Sequence, residues 1–110
     1  MVERSKRQVW NDKMTVQKET YIRRSISDAL RRANWAVFYI FQGLGSYKGI
    51  SDLIAMKDGK VIFIECKTPT GKQSDYQKDF ERICVSHGCR YILARSIDDI
   101  AELLNYQSLF

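Results

Sequence analysis

The sequence predicts an α/β fold, a mixed β-sheet flanked by helices in the order α-β-β-β-α-β-α. Three observations carry that expectation. Asp58-Gly59 divides two apolar runs, a strong local sign of a hairpin. Two stretches, 16–33 and 74–87, space their apolar residues as a helix does and not in alternation. Pro69, the only proline, and Gly71 end the hairpin just before the second helical stretch. Sheet and helices in this order pack naturally as layers around one core.

Taken in order, residues 1–14 show no clear period and read as a basic N-terminal arm or frayed end, ahead of a single domain over 15–110. Thr15 is the expected cap of a first helix from Val16 to Ala33, in which Ile22, Ile26, Ala29, Leu30 and Ala33 fall at helical spacing. The aromatic, β-branched run Trp35 to Gln42 reads as a strand, and Gly43 to Gly49 as a loop. Ser51–Met56 and Val61–Lys67 are the hairpin strands. Ser74 starts the second helix, which carries Phe80, Ile83 and Cys84 on one face and stops at Gly88. Arg90–Ala94 is a further strand, and Ser96 with Asp99 resembles a capping box opening a short helix to Leu104.

Composition narrows the function classes. The chain has 110 residues, 45% hydrophobic and 28% charged, as one globular domain with one core would. No apolar run approaches the roughly 18 residues of a membrane span. The N-terminus is too polar for a signal peptide, so a cytoplasmic protein is expected. Three cysteines without C-x-x-C spacing and a single histidine speak against structural zinc, haem or an iron–sulfur centre, and the thiols are expected to be buried and reduced. The net charge of +5 is concentrated between Arg4 and Arg32. It suits either phosphate neutralisation or a solvated helix face.

The chemistry-bearing residues lie on the hairpin. Along Val61–Lys67 the side chains alternate, so Phe63, Glu65 and Lys67 share one face. A two-residue turn at Asp58-Gly59 sets the register, pairing Lys57 with Lys60 and, further out, Asp52 with Glu65. Carboxylates so paired have Cβ atoms roughly 4.5–5.5 Å apart and repel, unless a cation lies between them. Hard divalent ions favour such oxygen ligands. Glu19 adds a third acid, because Ile26 and Leu30 lie about 20° to either side of it on the helix and aim it at the sheet. The competing reading is an exposed i,i+4 pair with Arg23. Glu-x-Lys alone is common, whereas these four residues converging are far more specific.

Gly49–Ile54 (G-I-S-D-L-I) and Ile64–Gln77 (I-E-C-K-T-P-T-G-K-Q-S-D-Y-Q) resemble the VRR-NUC branch of the PD-(D/E)XK nucleases. The resemblance runs from about Lys18 to Asp99. It implies a restriction-endonuclease-like core and a catalytic set of Glu19, Asp52, Glu65, Lys67 and Gln77. It further implies Mg²⁺ or Mn²⁺ held by Glu19, Asp52, Glu65 and the Cys66 carbonyl, with Glu19 acting directly or through water. Ser51 departs from the family, where a proline usually precedes the aspartate. Phage and bacterial stand-alone members resemble Holliday-junction resolvases and act as homodimers. The resemblance thus implies a structure-selective endonuclease for branched or four-way DNA, in a bacterial or phage-infected cell.

Arg23, Lys72, Gln73 and Arg95 are candidate DNA contacts. Gln77 suits either the site or a capping box with Ser74. Trp10, Trp35, Tyr39 and Phe41 suit the core or a dimer contact; Trp35–Phe41 or the apolar tail Tyr106–Phe110 would supply the two-fold interface. Two alternatives stay open. One is a nicking or restriction-like nuclease. The other is a non-catalytic DNA-binding module, for which converging acids that repel phosphate serve no purpose.

Overall fold

A computed structural model describes residues 5–41, 43 and 45–105, with the side chains of 11–17 left aside. Its elements are helix α1 (Lys6–Arg32), strands β1 (Ala36–Tyr39), β2 (Leu53–Lys57) and β3 (Lys60–Cys66), helix α2 (Asp75–Ser86), strand β4 (Arg90–Ala94), a 3-10 turn (Ile97–Ile100) and helix α3 (Ala101–Leu104). The four strands lie in sequence order. The pairs β1–β2 and β2–β3 are antiparallel and β3–β4 is parallel, so α2 is the crossover that parallel pairing requires. This is the expected mixed sheet flanked by helices.

Turn chemistry sets the hairpin. Asp58 and Gly59 both have left-handed φ, 50° and 79°. That is the backbone a twisted two-residue hairpin needs, and Asp and Gly tolerate it best. The register is the expected one, from Lys57 opposite Lys60 to Leu53 opposite Ile64. On β3 this sends Ile62, Ile64 and Cys66 into the core against α1, where Ile26, Leu30, Leu53 and Ile100 are fully buried. Trp35 is core as well, its indole N–H donating to the Leu103 carbonyl at 3.0 Å.

The opposite face is only half covered. Phe80 of α2 packs edge-on against Phe63 at 5.5 Å and near Tyr91 at 6.1 Å, over β3 and β4. Phe38 on β1 and Met56 on β2 remain 53% and 42% exposed.

Three local expectations are corrected. The first helix is capped by Ser5, whose Oγ accepts from Gln8 N at 3.1 Å, and not by Thr15. Much of the expected arm is therefore helical; residues 1–4 lie outside the described residues. Lys6 to Trp10 are all exposed, so no apolar stripe betrays that part of the helix. The first strand ends at Tyr39 and not at Gln42, which itself lies outside the described residues. Ser96 makes no side-chain cap. Asp99 instead accepts from the Arg95 backbone N–H at 2.7 Å, closing the turn from the other side.

Candidate active site

The site forms where β2 parts from β3. Beyond Leu53 the hairpin ladder stops, yet the Asp52 carbonyl still accepts from Ile40 N at 2.9 Å, so this chain segment stays with β1. The Asp52 carboxylate fills the gap, Oδ2 accepting from Cys66 N at 2.8 Å. Cys66 thereby satisfies its N–H and Asp52 is held beside Glu65. At the preceding residue Ser51, fully buried, donates its hydroxyl to the Leu53 carbonyl at 3.1 Å and stiffens the strand entry.

Glu65 is 2% exposed. Its Oε1 accepts from the Gln77 amide at 3.0 Å, while its Oε2 is buried with no hydrogen-bond partner. An orphaned buried acceptor is costly and calls for an explanation. Burial first, then the Asp52 charge and the hydrogen bond that a protonated Glu65 gains to Asp52, push the Glu65 carboxyl up to about 9, against an opposing pull from Lys67. The pair therefore favours keeping a proton, or any other cation, between its oxygens.

Gln77 makes contacts in both of the places the sequence left open. Its Oε1 accepts from the Ser74 backbone N–H at 2.8 Å, and Ser74 Oγ accepts from Gln77 N at 3.2 Å, completing the capping box at the start of α2. The other end of the same amide reaches Glu65. Lys67 follows β3, its N–H donating to the Ala94 carbonyl at 3.0 Å. Its Nζ lies 3.5 Å from Glu19 Oε1, so Glu19 does face the sheet, paired with Lys67 and not with Arg23.

Glu19, Arg23, Asp52, Glu65, Cys66, Lys67 and Gln77 together line a polar cleft of about 120 Å³. Among the described residues no three acidic, histidine or cysteine side chains close into a metal cage by themselves. Asp52 and Glu65 are the close pair, and Glu19 stands off behind Lys67.

The other candidate contacts separate. Arg23 is in the cleft wall and Lys72 is exposed. Gln73 turns away from the cleft, its amide donating to Glu81 at 3.1 Å and to the Tyr91 hydroxyl at 3.2 Å. Arg95 is a loop clamp: its Nη1 donates to the carbonyls of Thr68 and Gly71, both at 2.6 Å, and to that of Pro69 at 3.3 Å. It braces the segment that follows Lys67, a role no sequence pattern announces. Arg31, part of the basic excess, is likewise spent on the fold, donating to the Val37 carbonyl at 3.1 Å.

The family model of the VRR-NUC domain matches residues 2–98. A solved structure described as a VRR_NUC domain superposes with a TM-score of 0.68 at 17% identity, covering 83% of this chain and 98% of that one. At that identity the likeness bears on the fold, which is restriction-endonuclease-like. No curated protein matches the chain.

Proposed function

The chain belongs to the VRR-NUC family, a nuclease-type domain, and from that premise we propose that it is a divalent-metal-dependent endonuclease hydrolysing phosphodiester bonds in branched DNA, four-way junctions foremost. One observation carries the metal dependence: a buried Glu65 oxygen without a partner, beside the carboxylate of Asp52. A hard cation is the ligand such an oxygen lacks. Asp52, Glu65 and the Cys66 carbonyl would hold Mg²⁺ or Mn²⁺, with Glu19 acting through water. When bound, the ion polarises the scissile phosphate and acidifies a water molecule.

The remaining work falls to the chain's own groups. Gln77 holds Glu65 in its rotamer from the rigid first turn of α2. Lys67 supplies a cation where charge builds on the phosphate, and Glu19 orients its ammonium. Arg23, in the same wall, neutralises a neighbouring phosphate of the DNA.

A four-way junction needs two coordinated cuts, and this chain offers one cleft. We therefore assign the working form to a homodimer that buries the uncovered half of the sheet. Within the Trp35–Phe41 segment Phe38 is 53% exposed on that face and Phe41, just beyond the strand end, is 89% exposed, whereas Tyr39 turns to α1 and shares a hydrogen bond with Ser27 Oγ at 2.8 Å. The alternative interface, Tyr106–Phe110, lies outside the described residues.

The test is incubation with Mg²⁺ and a panel of linear, flapped, forked and four-way DNA, alongside light scattering. Paired cuts in the four-way substrate by a dimer are expected. A monomer at micromolar concentration that only nicks would replace junction resolution with nicking. Absence of any cleavage in Mg²⁺ or Mn²⁺ would leave a binding module.

Because the Gln77 amide serves cap and site at once, Gln77→Ala should lower stability by about 0.5–2 kcal/mol and also reduce single-turnover cleavage per folded molecule. Melting and single-turnover kinetics on one preparation check this. Loss of only one property would show that the amide serves only one partner in solution.

A further inference from the structure

Gly49 lies in the loop that leads into Asp52. It is buried, with φ at +92°. A Cβ on this residue would stand 2.3 Å from the carbonyl oxygen of Tyr76, 2.4 Å from its carbon and 2.9 Å from the Gln77 nitrogen. These are backbone atoms of the first turn of α2, and they cannot rotate aside. Two neighbours join the same contact. Lys48 Nζ lies 4.2 Å from the centre of the Tyr76 ring, and the Tyr47 ring lies 6.3 Å from that of Phe80.

We infer that Gly49 is a positioning residue for metal binding: its missing side chain lets the Asp52 loop seat directly on the first turn of α2, and this seating aims the Gln77 amide at Glu65. The inference rests on the metal-dependent reading above.

The physical link is short. The Gln77 side chain spans two acceptor–donor pairs, 2.8 Å to Ser74 N and 3.0 Å to Glu65 Oε1. Any side chain at position 49 must push the helix turn and the loop apart by about 1 Å to restore ordinary contact distance. A displacement of that size takes one of the two hydrogen bonds out of range. Ser74 moves with the turn, so the bond to Glu65 is the one lost. Its other oxygen accepts from no donor, so the carboxylate loses the contact that sets its rotamer beside Asp52. Asp52 and Glu65 then no longer meet one cation.

Gly45 provides the control. Its φ of +90° is equally left-handed, but nothing lies within 4 Å of the place a Cβ would take. Gly45→Ala therefore carries the same backbone strain without the collision.

The experiment measures Mn²⁺ affinity by titration calorimetry on the full chain, below the melting temperature of every variant. The set is wild type, Gly49→Ala, Gly45→Ala, Gln77→Ala and the Gly49→Ala/Gln77→Ala double variant. Gly49→Ala and Gln77→Ala should each weaken Mn²⁺ binding by roughly 10- to 100-fold, the usual cost of losing a group that orients a ligand. The double variant should be no worse than either single one, since both act through one amide. Gly45→Ala should bind as wild type.

Wild-type Mn²⁺ affinity in Gly49→Ala, or losses that multiply in the double variant, would overturn the inference. If Gly49→Ala does not fold, Tyr47→Ala loosens the same seating without a clash. It should weaken Mn²⁺ in the wild-type background and not in Gln77→Ala, and an equal loss in both overturns the inference too. Wild type that binds no Mn²⁺ sinks the metal-dependent reading itself, which keeps the two failures apart.

Discussion

Asp52→Asn should leave DNA uncut in Mg²⁺, with cleavage down by roughly a thousandfold or more, while the metal-free protein melts at or above the wild-type temperature. Both halves come from the same contact. Asp52 Oδ2 accepts from Cys66 N at 2.8 Å, and an asparagine carbonyl can accept that hydrogen bond without changing shape. Its amide can then donate toward Glu65, whose Oε2 has no partner. Removing the Asp52 charge lifts part of what holds the Glu65 carboxyl up to about 9, so keeping that carboxyl protonated near neutral pH costs the fold less.

The metal response should reverse the order. A cation at a hundredfold excess over its dissociation constant stabilises the wild type by about 2.7 kcal/mol, and the variant should gain much less. Junction binding should persist or tighten, because an acid near phosphate is gone. Melting with and without Mg²⁺, beside a cleavage time course, checks all three. An Asp52→Asn protein that cuts at the wild-type rate would remove Asp52 from the metal site.

The hairpin was legible because its turn is a local matter. Asp58-Gly59 imposes left-handed backbone at both positions, and the register as far as Leu53 opposite Ile64 follows from that without help from the rest of the chain; Asp52, one residue further, leaves the ladder and reaches the Glu65 side through its carboxylate on Cys66 N. The capping box at Ser74 and Gln77 was legible for the same reason. Glu19 could be aimed at the sheet because Ile26 and Leu30 on its own helix face are buried there.

What escaped the sequence depends on partners far along the chain. Arg95 looks like a cation for phosphate until the carbonyls of Thr68, Pro69 and Gly71 are found around it. Gln73 looks like a free loop amide until Glu81 and Tyr91 claim it. Lys6 to Trp10 are all exposed, so the first turn of α1, capped by Ser5, shows no buried face for a periodic pattern to report. Gln77 was undecidable because its two partners lie on different scales, Ser74 in the same turn and Glu65 on another element.

In chelator, wild-type stability should fall as pH rises from about 5 to about 9, and Glu65→Gln should flatten that fall. Burial, and then the nearby Asp52, hold the folded Glu65 carboxyl up to about 9, against 4.5 for the ordinary group. Below the unfolded value both states keep the proton, and the full stability is present. Between the two values only the unfolded chain ionises, so each step up in pH favours unfolding. The loss is complete once the folded carboxyl also ionises. Glutamine at this position does not titrate, and its amide can donate to Asp52 where the protonated acid did. Excess Mg²⁺ should act like the proton it displaces, holding stability up at alkaline pH, and its affinity should rise with pH because the proton must leave first. Melting curves from pH 5 to 9, in chelator and in Mg²⁺, for wild type and Glu65→Gln, read this directly. Parallel curves for the two proteins in chelator would mean that Glu65 ionises in the fold as freely as in the open chain, and the buried carboxylate pair would no longer account for metal capture.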